Sequence, residues 1–144
     1  MVFQINYQTE ALEATYQTND SAIYSIAVNE AFCVTGSEDN FVRVWPLDFS
    51  EFYLEAKHEN TVCAVDISAD GLRIICGTMY GSIGLLDKSN QNYKTLVRCH
   101  TDDIVCMDYH LAYRSIITVS KDKTIRLWNI DNFDQNVEFT CPID

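Results

Sequence analysis

Basic residues are scarce in this chain of 144 residues, which has 10 Lys and Arg against 21 Asp and Glu and a net charge of −11. Binding to the phosphates of DNA or RNA requires a basic stripe. The charge balance therefore argues against a nucleic-acid ligand, and equally against an anionic membrane surface. Protein partners that carry basic patches, or apolar contacts inside a polar rim, fit this composition better.

Long apolar runs and paired cysteines are also missing. No apolar run approaches the roughly 20 residues of a membrane-spanning helix. The six cysteines have irregular spacing, form no Cys-x-x-Cys motif and mostly lie beside Val, Ile or Ala. Cysteines in such settings are small buried side chains. We therefore expect reduced thiols in an intracellular protein of the cytoplasm or cytoskeleton, with no disulfide framework.

The sequence does contain a repeat of about 42 residues. Residues 41–45, 82–86 and 124–128 read FVRVW, SIGLL and TIRLW, and Trp45, Leu86 and Trp128 are separated by 41 and 42 positions. Short runs rich in β-branched and aromatic residues, separated by polar turns, predict strands. The predicted strands cover residues 2–5, 12–14, 23–28, 31–36, 41–47, 54–56, 62–67, 72–77, 82–87, 104–109, 115–120, 124–130 and 137–141.

The third repeat carries a distinctive set of polar residues. His100, Ser120, Asp122 and Trp128 stand at spacings of 20, 2 and 6. With the period of 40–45 residues, this set resembles the structural tetrad of the WD40 family. The resemblance implies that the Trp indole donates to the Ser oxygen, that Ser bonds His, and that His donates to Asp. It also implies an all-β propeller that binds proteins, is not an enzyme and has no cofactor or small-molecule substrate.

The other two repeats keep only part of the tetrad. The retained residues are Ser37, Asp39 and Trp45 in the first repeat, and His58 and Thr78 in the second. Gln17 or Asn19 stands in place of the first repeat's His, while Tyr80 and Leu86 replace Asp and Trp in the second. We therefore expect the second repeat to depend most on apolar packing.

The repeats divide the chain into about three and a half blades of four-stranded antiparallel sheet. Residues 1–17 would be the third and outer strands of a preceding blade, 18–57 blade 1, 58–99 the degenerate blade 2, and 100–144 blade 3. Propellers close with typically 4–8 blades. The expectation is a segment of a larger propeller.

Two chemical alternatives involve the same region. His100, Ser120 and Asp122 have the residue types of a nucleophilic triad, but Ser120 ends a core strand and is not in a strained Gly-x-Ser-x-Gly turn. Cys99, His100, Cys106 and His110 match the spacing of no common zinc module. The sequence thus predicts no catalytic, cofactor or metal site.

One set of positions points to a binding surface. In the WD40 family, the residue before the tetrad Asp often faces the surface that binds ligands. By this resemblance, the tentative partner-binding face contains Glu38, Met79 and Lys121. The three side chains differ in character, so the resemblance suggests a location and not a ligand.

A narrower resemblance comes from residues 30–56. Pro46 directly after Trp45, followed by Asp48, Phe49 and Ser50, is not a general WD40 feature. This stretch resembles the proteome-of-centriole family of WD-repeat proteins, found at centrioles and ciliary bases. The resemblance implies a scaffold in centriole architecture or cilium assembly, with centriolar or axonemal partners, an indirect association with microtubules and a location at the centriole, basal body or cilium. The family's separate microtubule-binding module has no counterpart here.

The alternative is a general WD40 adaptor or a substrate receptor of a ubiquitin ligase. Such receptors often carry Trp-Asp-x-Arg after the third strand of a blade. Residues 45–48 read WPLD and residues 128–131 read WNID, both without the Arg. The sequence therefore favours the centriolar interpretation.

Overall fold

The computed structural model describes residues 1–17, 21–96, 99–110, 112–132 and 134–142. These ranges contain strands and no helix. Strands that are consecutive in the chain pair antiparallel, which gives one two-stranded and three four-stranded sheets. The predicted all-β architecture of four-stranded antiparallel sheets is confirmed.

Each sheet is a simple meander. The two-stranded sheet pairs β1 (Val2–Ile5) with β2 (Leu12–Tyr16). Blade 1 contains β3 (Ile23–Val28), β4 (Phe32–Ser37), β5 (Phe41–Pro46) and β6 (Leu54–Lys57). Blade 2 contains β7 (Val62–Ile67), β8 (Arg73–Thr78), β9 (Ile83–Asp87) and β10 (Asn92–Leu96). Blade 3 contains β11 (Ile104–His110), β12 (Ser115–Ser120), β13 (Thr124–Asn129) and β14 (Gln135–Thr140).

The turn between the second and third strands has the same form in every blade. Its third residue is Asn40, Gly81 or Lys123, with φ of 73°, 78° and 68°. In each case this residue donates its N–H to the carbonyl three positions earlier, at 3.1–3.2 Å. A left-handed residue at this point closes a tight hairpin. We call the side of the molecule with these three turns, and with the loops 58–61 and 99–103, the upper face.

The blades pack side by side through their first strands, because β7 lies between β3 and β11. Polar contacts cross both junctions: Val65 N–H donates to Ser25 Oγ at 3.1 Å, and Tyr109 N–H donates to Asp66 Oδ2 at 3.0 Å. Gly36 and Gly77 leave room for this packing, since a Cβ at either position would lie within 2.6–2.7 Å of a side chain on the next blade.

Two apolar clusters fill the junctions. The cluster between blades 1 and 2 contains Phe32, Val34, Val42, Val44, Ala56, Val62, Val65, Ile74, Cys76 and Leu86. The cluster between blades 2 and 3 contains Ala64, Ile75, Ile83, Leu85, Cys99, Ile104, Met107, Tyr109, Ile116, Trp128 and Ile130. Successive side chains of a strand point to opposite faces. Each inner strand of blade 2 therefore supplies both clusters.

Candidate functional site: blade networks and upper face

A buried hydrogen-bond network ties blade 3 together. The Trp128 indole donates to Thr118 Oγ1 at 2.9 Å, and the same hydroxyl lies 2.6 Å from His100 Nε2. His100 Nδ1 is 2.9 Å from Asp122 Oδ2. His100 is 1% exposed and Thr118 is fully buried. The network therefore joins the second strand, the third strand, the turn between them and the loop that precedes the blade.

Ser120 is not the hydroxyl of this network, contrary to the sequence prediction. Its Oγ donates to the Asp102 carbonyl and accepts from the Asp122 N–H, both at 3.1 Å. The register explains the difference, because Trp128 pairs directly with Ile116. Thr118 is then the diagonal neighbour, about 7 Å along the strand, whereas Ser120 is about 14 Å away at 3.4 Å per residue.

Burial and hydrogen bonding determine the charge states of this network. Burial alone would raise the pKa of Asp122, but hydrogen bonds from Thr124, the Thr101 N–H and His100 outweigh it, so the pKa is lowered. Burial lowers the pKa of His100, although the hydrogen bond to Asp122 opposes that effect. At neutral pH the pair is therefore an ionised carboxylate beside a neutral imidazole, in which Nδ1–H donates to Asp122.

Blade 1 has the same indole contact without a histidine. Trp45 donates to Thr35 Oγ1 at 2.9 Å. Ser37 instead donates to Asp39 at 2.5 Å, which corrects the prediction that Ser37 takes the indole contact. Gln17 lies on the surface, and Asn19 is outside the described residues.

Blades 1 and 3 also share an arginine held between two carboxylates. In blade 1, Arg43 contacts Asp39 at 2.8 Å and Glu55 at 3.3 Å. In blade 3, Arg126 lies 4.0 Å from Asp122 and 3.2 Å from Glu138. The members of the two sets are 83 residues apart at all three positions. These sets were not predicted from the sequence, although their equal spacing is a signal that could have found them.

Blade 2 replaces this chemistry with different residues. Cys76 occupies the position of Thr35 and Thr118, and its Sγ lies 3.4 Å from the Tyr93 hydroxyl. Gly84 occupies the position of Arg43 and Arg126, and a side chain there would overlap the Tyr93 hydroxyl. Tyr93 on the outer strand thus fills the space that Trp and Arg fill in the neighbouring blades.

His58, predicted to belong to a partial tetrad with Thr78, has a different environment. It is 1% exposed, and its Nδ1 accepts from the Glu59 N–H at 2.9 Å. Its Nε2 has no hydrogen-bond partner within the part of the chain that the structure describes. Thr78 bonds instead to the backbone of Ser82. The ring of His58 packs edge-on against Tyr93, with centroids 5.8 Å apart, and burial lowers the pKa of His58.

The three tentative partner-binding residues lie together on the upper face, each at the end of a second strand. Their backbone N–H groups make equivalent bonds, from Glu38 to Ala22, from Met79 to Thr61 and from Lys121 to Asp103, at 2.9–3.1 Å. Glu38 and Lys121 are exposed and Met79 is half-buried. The Lys121 ammonium pairs with Asp103 at 2.6 Å. Their role in binding stays a prediction.

The cysteines and the candidate zinc ligands are the remaining residues that the sequence singled out. All six cysteines are free thiols: Cys33, Cys76 and Cys99 are buried, Cys63 and Cys141 are half-buried, and Cys106 in β11 is exposed. Among the described residues, no group of three or more His, Cys, Asp and Glu side chains is arranged to hold a metal ion. The same part of the chain contains no helix with the length and apolar character needed to span a membrane.

Antiparallel four-stranded meanders, stacked through their first strands and each tied by an indole–hydroxyl contact or its substitute, define a β-propeller of the WD40 class. The sequence profile of the family "WD domain, G-beta repeat" matches residues 11–46 and 90–129. This chain belongs to the WD40 repeat family, a family of protein-interaction scaffolds. Each match begins at or before an outer strand and runs to the third strand of the next blade.

Two relatives show which WD40 proteins this chain is similar to. The chain is similar to "WD repeat-containing protein 90" of Xenopus tropicalis, with 44% identity over 120 residues, which are 83% of this chain and 6% of that protein. It is also similar to "Centriole proteome protein 16" of Chlamydomonas reinhardtii, with 38% identity over 99 residues, 69% of this chain and 5% of that protein. The chain thus spans only about a twentieth of each relative.

A solved structure supports the fold. The structure of U3-55K superposes with a TM-score of 0.77 at 14% sequence identity, covering 87% of this chain and 41% of that chain. At this identity the likeness concerns the fold alone, and it confirms the propeller architecture.

Proposed function

We propose that this chain is a non-enzymatic interaction segment of a centriole- or cilium-associated scaffold that acts in centriole architecture or cilium assembly. The observation that carries the proposal is the 38% identity to a protein named for the centriole proteome. The similarity to WD repeat-containing protein 90 covers a larger share of the chain and includes the segment around Pro46. The partners would be centriolar or axonemal proteins, with an indirect link to microtubules.

The geometry supports a scaffold and not a hydrolase. His100 and Ser120, which have the residue types of a catalytic pair, are 1% and 6% exposed. The His100 imidazole is engaged by Thr118 and Asp122, and the Ser120 hydroxyl by a backbone carbonyl. A nucleophile must be within hydrogen-bond reach of its base and open to substrate. These groups hold the blade together instead.

The first test is the cellular position of the full-length protein. Its endogenous gene would be tagged and the signal compared with a tubulin stain and a centriole marker. We expect signal confined to centrioles, basal bodies or cilia, and co-purification with tubulin-associated proteins. Diffuse cytosolic or nuclear signal, or co-purification with ubiquitin-ligase subunits, would contradict the proposal.

A matched pair of variants tests whether these blades contribute. Thr118→Val removes the hydroxyl shared by Trp128 and His100, whereas Ser120→Ala removes a neighbouring hydroxyl outside that network. We expect the first variant to weaken the centriolar signal at equal expression and the second to retain it. Equal signal in both variants would mean that this segment is dispensable for localisation.

A further inference from the structure

Blade 2 presents an apolar pair on the upper face. Tyr80 is 61% exposed, and Met79 beside it is half-buried. Blades 1 and 3 have Asp39 and Asp122 at the position of Tyr80, and both carboxylates turn inward to protein partners. The substitution in blade 2 thus places an aromatic ring at the surface where its neighbours have a carboxylate that is bonded to groups of the blade. Packing within the blade does not explain why this ring is exposed.

Carboxylates flank this pair on both sides. Glu59, in the loop before blade 2, accepts from the Ser82 hydroxyl at 2.8 Å, two positions after Tyr80. On the other side, the N–H groups of Cys99 and His100 bond the Gly81 carbonyl at 2.8 and 3.0 Å. This contact brings the loop that contains Asp102 next to the Tyr80 turn.

Negative charges surround this pair, while the exposed cations of the upper face include Lys121 and, in the turn of blade 3, Lys123. Glu38 lies next to the loop that contains Glu59, because its backbone carbonyl accepts from the hydroxyl of Thr61 in that loop at 3.3 Å. Lys121 is paired with Asp103 and so neutralises a fourth carboxylate. Glu38, Glu59 and Asp102 are exposed, and none of them is in an ion pair within the described ranges.

We propose that Met79 and Tyr80, flanked by Glu38, Glu59 and Asp102, form a docking surface for a basic protein segment. A Lys or Arg side chain of the partner lies with its aliphatic part on Met79 and its cation over the Tyr80 ring. A cation over an aromatic face is stabilised by about 0.5–2 kcal/mol. The three carboxylates add attraction and select against acidic partners. The inference rests on the proposed scaffold function and names the chemistry of the partner.

The test is a binding titration of the full chain with a fluorescent 12-residue peptide of alternating Arg and Gly, and with a matched peptide of Glu and Gly. We expect anisotropy to report binding of the Arg peptide only, weakening roughly tenfold from 50 to 300 mM salt because exposed charges are screened. Tyr80→Ala should weaken binding about 2–30-fold, the range that corresponds to the cation–π contribution. Tyr80→Phe should retain it.

Two controls make the result specific. Tyr113 is 79% exposed in the turn at the opposite end of the strands, so Tyr113→Ala should leave the affinity unchanged. The double variant Glu59→Gln with Asp102→Asn keeps the size of both side chains and one acceptor oxygen on each, and should weaken binding and reduce its salt dependence. Circular dichroism of each variant checks that the fold is intact.

Absence of Arg-peptide binding, binding of the Glu peptide, or equal losses from Tyr80→Ala and Tyr113→Ala would overturn the inference. These outcomes are measured on the isolated chain. They are therefore separate from the cellular localisation, whose failure would refute the centriolar function while leaving the docking surface intact.

Discussion

The Thr118 hydroxyl serves two buried partners, the Trp128 indole and His100 Nε2, at 2.9 and 2.6 Å. Thr118→Val keeps the shape of the side chain and removes both contacts. An unpaired buried polar group costs about 1–3 kcal/mol. We expect the free energy of unfolding in urea to fall by about 2–6 kcal/mol, because two such groups lose a partner.

Ser120→Ala is the control for this change. The Ser120 hydroxyl contacts two backbone groups at the edge of the upper face, the Asp102 carbonyl and the Asp122 N–H. Asp102 is exposed, so water can replace the lost contact to its carbonyl. We expect a loss of about 1 kcal/mol or less. A larger loss for Ser120→Ala than for Thr118→Val would show that the assignment of the network hydroxyl to Thr118 is wrong.

The same two residues show where prediction from the sequence stops. Thr118 and Ser120 both carry a hydroxyl and lie on the same face of the strand, because every second side chain of a strand points to the same side. Linear spacing does not distinguish them, because the choice depends on the register between β12 and β13. The contact between Cys76 and Tyr93, which replaces the Trp–Thr contact in blade 2, could not be predicted from the sequence either. Tyr93 comes from the outer strand and fills a space left by Gly84.

At the scale of the strand, two glycines determine how closely neighbouring blades approach. A Cβ on Gly77 would lie 2.7 Å from Ile104 Cγ2 and 2.9 Å from Met107 Sδ. Gly77→Val therefore pushes β8 of blade 2 away from β11 of blade 3. Overpacking of this kind typically costs about 1–3 kcal/mol, and we expect the free energy of unfolding, measured in urea, to fall by about that amount.

Val119 of blade 3 provides a matched position, 42 residues after Gly77. Its side chain is half-buried, and the described residues place no further blade against it. Val119→Leu also adds volume, but we expect a change within about 0.5 kcal/mol, as for most partly exposed sites. Equal losses in both variants would mean that the contact between blades does not determine the requirement for Gly77.

The strands themselves were largely predictable. Alternation of side chains and polar turns gave the observed strands to within two residues, because local sequence determines both features. The exception is β10, Asn92–Leu96, which was not predicted because its sequence is mostly polar. Pairing with β9, and the space above Gly84 that accepts Tyr93, hold this strand in place.

At the scale of the whole molecule, stability depends on histidines and carboxylates buried in consecutive blades. Burial lowers the pKa of both His58 and His100 below the ordinary value of 6.5. Below pH 6.5 the unfolded chain therefore binds more protons than the folded one, and acidification favours unfolding. The lowered pKa of Asp122 acts in a separate range, because its contribution is complete above the ordinary value of 3.8 and is lost as the pH falls below it.

The free energy of unfolding should accordingly fall between pH 7 and pH 5, measured from urea titrations at half-unit steps. His58→Leu should flatten this slope, because it removes one of the two buried imidazoles. The Nε2 of His58 has no hydrogen-bond partner among the described residues, so the substitution breaks no bond there. Leu72→Ala, an exposed substitution without a titratable group, should leave the slope unchanged. A slope that is the same in His58→Leu and in the parent chain would mean that His58 gains its proton without unfolding. The junction between blades 1 and 2 would then have to open locally to solvent, and hydrogen exchange of the β7 and β8 amides at pH 5 would detect that opening.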